Sequence, residues 1–179
     1  MDLFVSTSPF GELDPSILEP LRLSSISWSS NTKGRKLKPE ELLEAAKDCK
    51  ALVAGTENLS PLLEINPNLK MIARVGIGLD GVPLHECRRM GIRVSWTPDA
   101  MTQAVAELTL GLMLCTTRHV RSLDESIRRN HWSRRSGRSI GESVIGLLGF
   151  GRIGSAVASL LHSFPPKELL VSDILDKTP

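Results

Sequence analysis

The residues with the most chemical content lie in one short run. Residues 143–148 (SVIGLL) form a compact apolar segment that leads straight into Gly149-Phe150-Gly151-Arg152-Ile153-Gly154. A helical pattern follows over 153–162 and is stopped by Pro165 and Pro166; residues 169–172 (LLVS) then read as a second strand with Asp173 at its end. A strand, a glycine-rich turn, a helix and a second strand ending in an acid form the context in which a G-x-G-x-x-G motif holds a dinucleotide. Gly149 permits the tight turn, Gly151 lets a pyrophosphate approach the backbone, and Gly154 lets the helix pack closely on the strand. The helix N-terminus offers free amide hydrogens and the positive end of its dipole to phosphate. Asp173, 19 residues after Gly154, is placed to accept hydrogen bonds from ribose hydroxyls. Gly149, Gly151, Arg152, Ile153, Gly154 and Asp173 are therefore the candidate cofactor-binding residues. A carboxylate at the ribose repels a 2′-phosphate, so the expected cofactor is NAD rather than NADP. Lys177 is the only nearby cation.

The elements that must position this run read as alternating strands and helices. Strand candidates lie at 3–6, 25–28, 51–54, 71–75 and 92–95, and helix candidates at 15–21, 39–48, 61–65 and 83–90. Several of the helices begin with proline, and Gly91 follows the last, which is the usual start and stop asymmetry. Such alternation predicts an α/β fold with an open parallel sheet. Residues 100–120 read as one long helix, apolar on nearly every face, that must be covered on most sides by its own core, a second domain or a partner subunit. Arg118, Arg121, Arg128, Arg129, Arg134, Arg135 and Arg138 follow, against Asp124 and Glu125. A basic run of this kind usually marks a solvated helix face or an interdomain connection. Nucleic-acid binding is the weaker reading and would show a strong salt dependence.

Composition narrows the classes further. The chain has 179 residues, 41% of them hydrophobic, and a formal net charge of +2, which calls for neither a nucleic acid nor a membrane as partner. Cys49, Cys87 and Cys115 are scattered and form no metal-ligand spacing with the histidines. The N-terminus lacks the basic and apolar regions of a secretory signal, and the apolar stretch 104–115 is too short to span a bilayer. These features predict a cytoplasmic protein without metal. His85, His119, His131 and His162 read as structural or surface residues, and no Ser/His/Asp arrangement can be drawn from spacing alone.

The segments ARVGIGLDGV (73–82), GIRVSWTPDA (91–100), AVAELTLGLML (104–114) and SVIGLLGFGRIGSAVA (143–158) occur in this order. Together they resemble the D-isomer-specific 2-hydroxyacid dehydrogenases, the family that includes phosphoglycerate dehydrogenase. The resemblance implies a flavodoxin-like parallel-sheet lid domain over 1–96, which binds substrate. It is followed over 97–179 by the first βαβ unit of a Rossmann NAD-binding domain, incomplete, together with a dimerisation helix. It implies substrate contacts at Gly55 and Thr56, in the turn with Glu57, and at Gly76, Ile77 and Gly78, where backbone amides hold the carboxylate of a 2-hydroxy or 2-oxo acid. It implies a homodimer through the long helix and the arm after it. The family's catalytic arginine, glutamate and histidine match no residue of this sequence, so no catalytic residue is assigned and the 179-residue chain alone is expected to be inactive. The alternative is a non-catalytic truncated paralogue that acts by association with full-length subunits. Two departures from the family pattern stand out: Met101 takes a position that is often polar, and Asp173 comes one residue later than usual.

Overall fold

The computed structural model describes residues 1–176. The chain divides into two compact units, Met1–Pro98 and Asp99–Pro179.

The first unit carries strands β1 (Leu3–Val5), β2 (Trp28–Ser30), β3 (Ala51–Ala54), β4 (Met71–Arg74) and β5 (Arg93–Trp96). Between them run α1 (Glu19–Leu23), α2 (Pro39–Ala46), α3 (Ser60–Ile65) and α4 (Leu84–Met90), with a 3₁₀ turn, Pro15–Leu18, ahead of α1. All pairings are parallel and the strand order is β2-β1-β3-β4-β5. This is the flavodoxin-like order, whose direction of winding reverses between β1 and β3. The mixed α/β class and parallel sheet expected from the alternation of elements are observed.

Local chemistry explains the boundaries. Pro39 opens α2, where the Glu41 carboxylate accepts the Lys38 amide at 2.9 Å and Leu42 and Ala46 face the core. Gly91 ends α4 in the left-handed region at φ 71°, with Ile92 N–H donating to Cys87 O at 2.8 Å. Asn66, fully buried, donates through Nδ2 to Ala46 O (2.9 Å) and Cys49 O (2.8 Å), tying the end of α2 to the approach to β3. Phe4, Leu42, Leu52, Leu62, Leu69 and Ile72 form the centre of an apolar core between sheet and helices. The second strand differs from its expected position: it covers Trp28–Ser30 rather than 25–28. Asp2 holds the earlier segment in a turn-like contact, its carboxylate accepting from Ser27 N at 3.1 Å and Ser27 Oγ at 2.6 Å.

The second unit contains α5 (Thr102–Thr117), α6 (Val120–Arg128), β6 (Val144–Leu148), α7 (Arg152–Leu161) and β7 (Glu168–Ser172). Strands β6 and β7 pair in parallel from Val144↔Glu168 to Leu148↔Ser172 and form a two-stranded sheet. Ala106, Ile140, Val157 and Leu161 are its fully buried apolar side chains, with Leu110, Ile145, Leu147 and Leu169 packed against them. Of the three covers expected for the long helix, its own core supplies only part. Only Ala106 of α5 is fully buried, whereas Leu108 is 62% and Leu112 57% exposed, so its apolar surface is not covered on most sides within the chain. A groove of about 890 Å³ lined by Leu112, Met113, Thr117, Ile140, Val144 and Ile145 runs beside it. The arginine-rich stretch splits at His119, whose φ is 56°, into α6 and an irregular arm. On α6 two arginines pair with acids one turn away, Arg121 with Glu125 at 3.3 Å and Arg128 with Asp124 at 2.8 Å. Among the described residues no helix is long and apolar enough to cross a membrane.

Candidate functional site

The glycine-rich turn sits between the end of β6 and the start of α7, and three glycines in it meet three different constraints. Gly149 has φ 96°, a conformation that side chains with a Cβ rarely adopt. A Cβ on Gly154 would lie 2.1 Å from the Gly149 carbonyl oxygen, so only glycine lets the first turn of α7 approach the strand end this closely. A Cβ on Gly151 would meet no heavy atom within 4 Å, so the backbone there faces open space. Gly151 is the N-cap of α7, in extended geometry, and no side chain caps the helix. The first turn therefore leaves the amides of Arg152, Ile153 and Gly154 without an i−4 acceptor and directed at that space.

The charged groups around the turn are already partly engaged. Asp173, just past β7, accepts from Phe150 N at 2.5 Å through Oδ2 and from Leu175 N at 2.9 Å through Oδ1. This carboxylate is thus part of the turn's own structure, tying the end of β7 to the glycine-rich turn. Arg152, at the first helical position, pairs through Nε with Asp99 at 2.6 Å, both side chains being largely exposed. Ile153 packs into the core of the unit. Lys177 lies outside the described residues. An open cradle, free amides and an acid at the end of the second strand fit a dinucleotide phosphate and ribose.

On the first unit, the sequence-derived substrate residues lie at the carboxyl ends of β3 and β4. Ladder partners Ala54↔Arg74 close the two strands, and Val75 N donates to Ala54 O at 2.9 Å. Gly55 and Thr56 follow β3; Gly76, Ile77 and Gly78 follow β4. The Gly76 amide donates to Thr97 Oγ1 at 2.9 Å, and Gly76 O accepts from Thr97 N at 3.2 Å. Thr97 pins this loop. It stands in the segment 91–100 but nothing in its spacing signalled that role. With Gly76 engaged, the Ile77 and Gly78 amides make no hydrogen bond among the described residues, and the Asp80 carboxylate lies beside Gly78, 3.1 Å from where its Cβ would stand. Arg74 folds its guanidinium onto Val75 O. Lys36, from the turn before α2, donates to Thr56 O at 2.9 Å.

Among the described residues, no general acid or base is assembled around the histidines. All four are exposed, and the contact of His85 Nδ1 with Glu86 is loose at 3.8 Å. No group of acids, cysteines and histidines suited to a metal occurs among the described residues. The cysteines are free thiols; burial pushes Cys49 up to about 11 and raises Cys87, while Cys115 is exposed.

Comparison with known proteins decides which lineage built this arrangement. Residues 10–164 match the D-isomer specific 2-hydroxyacid dehydrogenase, catalytic domain. The chain belongs to this family. Among curated dehydrogenase relatives, the hydroxypyruvate reductase of Thermotoga maritima is 33% identical over 158 residues, 86% of this chain and 52% of that protein. The D-3-phosphoglycerate dehydrogenase of Sus scrofa is 34% identical over 161 residues, 88% of this chain and 30% of that protein. The solved D-lactate dehydrogenase of Aquifex aeolicus, in complex with NAD and lactic acid, matches with TM-score 0.78 at 26% identity, over 99% of this chain and 52% of that one. The chain spans about half the length of the first of these relatives and less of the second.

Proposed function

We propose that the chain supplies the substrate-binding domain and the adenosine side of the cofactor site of an NAD-dependent D-2-hydroxyacid dehydrogenase. The reaction removes the C2 hydrogen of a 2-hydroxy acid as hydride and its hydroxyl hydrogen as a proton, giving the 2-oxo acid, NADH and H⁺. NAD, when bound, supplies the hydride acceptor. The observation that carries this reading is the turn from Gly149 to Gly154. Its positive-φ glycine, its closely packed Gly154, the open backbone at Gly151 and the acid after β7 are found together. The amides of Arg152, Ile153 and Gly154 bind the pyrophosphate, and Asp173 accepts from the ribose hydroxyls and disfavours a 2′-phosphate.

On the first unit, from Met1 to about residue 96, the Ile77 and Gly78 amides hold the substrate carboxylate, and Gly55 and Thr56 flank the rest of the acid. This orients C2 and leaves proton transfer to groups outside these residues. With four exposed histidines and, among the described residues, no carboxylate within hydrogen-bond distance of any of them, the 179-residue chain alone is expected to show no turnover. The exposed apolar groups of α5 and the groove beside it support a homodimer through this region, since such a surface is unfavourable in water. The same surface supports a second reading, a non-catalytic chain that joins complete subunits of the family. Three free thiols fit a reducing, cytoplasmic setting. Calorimetric titration of the native protein with NAD and NADP, with turnover assayed on a panel of 2-hydroxy and 2-oxo acids, tests the assignment. Preference for NAD is expected, with oxidation of a 2-hydroxy acid only where the groups for proton transfer are supplied from outside residues 1–179; equal affinity for both cofactors refutes the role of Asp173.

A further inference from the structure

Glu57 is a buried carboxylate that pairs with no cation among the described residues. The residue is 5% exposed, and its Oε2 is enclosed without a hydrogen-bond partner among the described residues. Two glycines hold it there. A Cβ on Gly81 would lie 2.1 Å from the Glu57 carbonyl oxygen, and a Cβ on Gly55 would lie 3.1 and 3.2 Å from its two carboxylate oxygens. The head group therefore folds back over Gly55, at the end of β3. The same point lies 3.2 Å from Thr7 Oγ1, which follows β1. The carboxylate thus occupies the crevice between the carboxyl ends of β1 and β3, the switch point at which open α/β sheets take ligands. Ser8 Oγ, from the same segment as Thr7, is likewise enclosed without a partner. Lys36, the cation of this turn, is turned to the Thr56 carbonyl instead.

We propose that Glu57 is a specificity-determining residue that accepts a hydrogen bond from a free hydroxyl on the carbon next to the reacting centre of the substrate. The inference rests on the reading of this unit as the substrate domain. The Ile77 and Gly78 amides follow β4, one strand over, and neighbouring strands lie about 4.8 Å apart. An acid whose carboxylate sits on those amides can thus extend its third carbon toward the β3 loop. A hydroxyl there gives the enclosed oxygen the donor that it lacks. A phosphate there brings negative charge against a carboxylate that cannot be screened by solvent on its buried side. An acid with no substituent leaves the oxygen unpaired. The chain accordingly selects a hydroxyl-bearing 2-oxo or 2-hydroxy acid over its phosphorylated and its unsubstituted counterparts.

The test is kcat/KM of the native protein with NADH and hydroxypyruvate, glyoxylate or 3-phosphohydroxypyruvate, compared with Glu57→Ala and Glu57→Gln. Hydroxypyruvate is expected to lead both others. Glu57→Ala is expected to lower its advantage over glyoxylate by about tenfold or more. Glu57→Gln, which keeps an acceptor of the same size, is expected to retain that advantage while discrimination against the phosphorylated acid falls by about tenfold. Turnover with unchanged ratios in both variants overturns the role of Glu57 and leaves the proposed function standing. If no acid is turned over, the same ratios are read calorimetrically as binding of glycerate against glycolate and 3-phosphoglycerate. Absence of binding by all three overturns the proposed function and this inference with it.

Discussion

Replacing Gly154 and Gly151 by alanine, one at a time, separates packing from ligand approach within a single turn. In Gly154→Ala the new methyl carbon would stand 2.1 Å from the Gly149 carbonyl oxygen and 3.1 Å from its carbon. Carbon and oxygen come to rest at about 3.3–3.6 Å, so the contact is short by more than about 1 Å. Neither side can yield cheaply. Gly149 is fixed by its φ of 96° and by its own N–H bond to Ser172 O at 2.7 Å, and α7 carries Val157 and Leu161 into the small core. Relief requires α7 to shift as a body, and overpacking of this order costs about 2–3 kcal/mol. Gly151→Ala meets no neighbour, so it should lose only the N-cap preference of glycine over alanine, about 0.5–1 kcal/mol. Its methyl, however, fills the space over the free amides. Urea unfolding followed by circular dichroism gives the stabilities, and calorimetry gives NAD affinity. Gly154→Ala should be the destabilised variant, whereas Gly151→Ala should fold nearly normally and lose NAD affinity by at least about tenfold, roughly 1.4 kcal/mol. A Gly154→Ala protein within about 0.5 kcal/mol of the parent, a margin expected only of surface changes, would refute the packing argument. A Gly151→Ala protein with unaltered NAD binding would refute the cradle.

Asp173→Asn keeps an oxygen acceptor for the Phe150 or Leu175 amide but removes the charge, so it should narrow the preference for NAD over NADP with less loss of stability than Asp173→Ala, as read by paired titrations. A thiol-specific chromophoric reagent should label Cys115 in the folded chain and reach Cys49 and Cys87 only on unfolding. Because the folded protein holds the Cys49 proton up to about 11 against an ordinary 9.0, it binds more protons than the unfolded chain between those values. Stability should therefore fall as pH rises through that window, and a denaturation series from pH 8 to 11 shows a flat profile if the reasoning is wrong. Leu112→Glu, placed on the exposed side of α5, should shift the chain from associated to monomeric in sedimentation, and an unchanged profile would exclude that face from the contact.

Much of the architecture is legible because its determinants are local. Prolines 15, 39 and 61 open helices and Gly91 closes one, so their boundaries lie near the expected positions. The 169–172 strand and the glycine turn before it depend only on residues within a single βαβ unit. What escaped depends on partners distant in sequence. The second strand begins late because Asp2, 25 residues away, captures Ser27. Thr97 takes the Gly76 amide across 21 residues. Glu57 can be seen as an acid in a turn, but its burial follows from Gly81 and Thr7, which no spacing rule connects to it. The break at His119 has no proline or glycine to announce it. The exposure of Leu108 and Leu112 is likewise invisible in an apolar pattern, which says that a face seeks cover but not what covers it.

The sheet order of the first unit bears on how the chain emerges from a ribosome. Every strand of β2-β1-β3-β4-β5 comes from Leu3–Trp96, and its core draws on no later residue. At about 5–20 residues per second, synthesis of the remaining sequence leaves this unit several seconds in which to fold alone. The second unit starts from a different position. Its two strands emerge after the first unit, with Val144 half exposed and Leu148 93% exposed even when paired. The nascent protein is therefore expected to present chaperones with a finished first unit and a sticky, slower-maturing second one, and ribosome profiling of chaperone capture should show engagement rising as β6 leaves the exit tunnel.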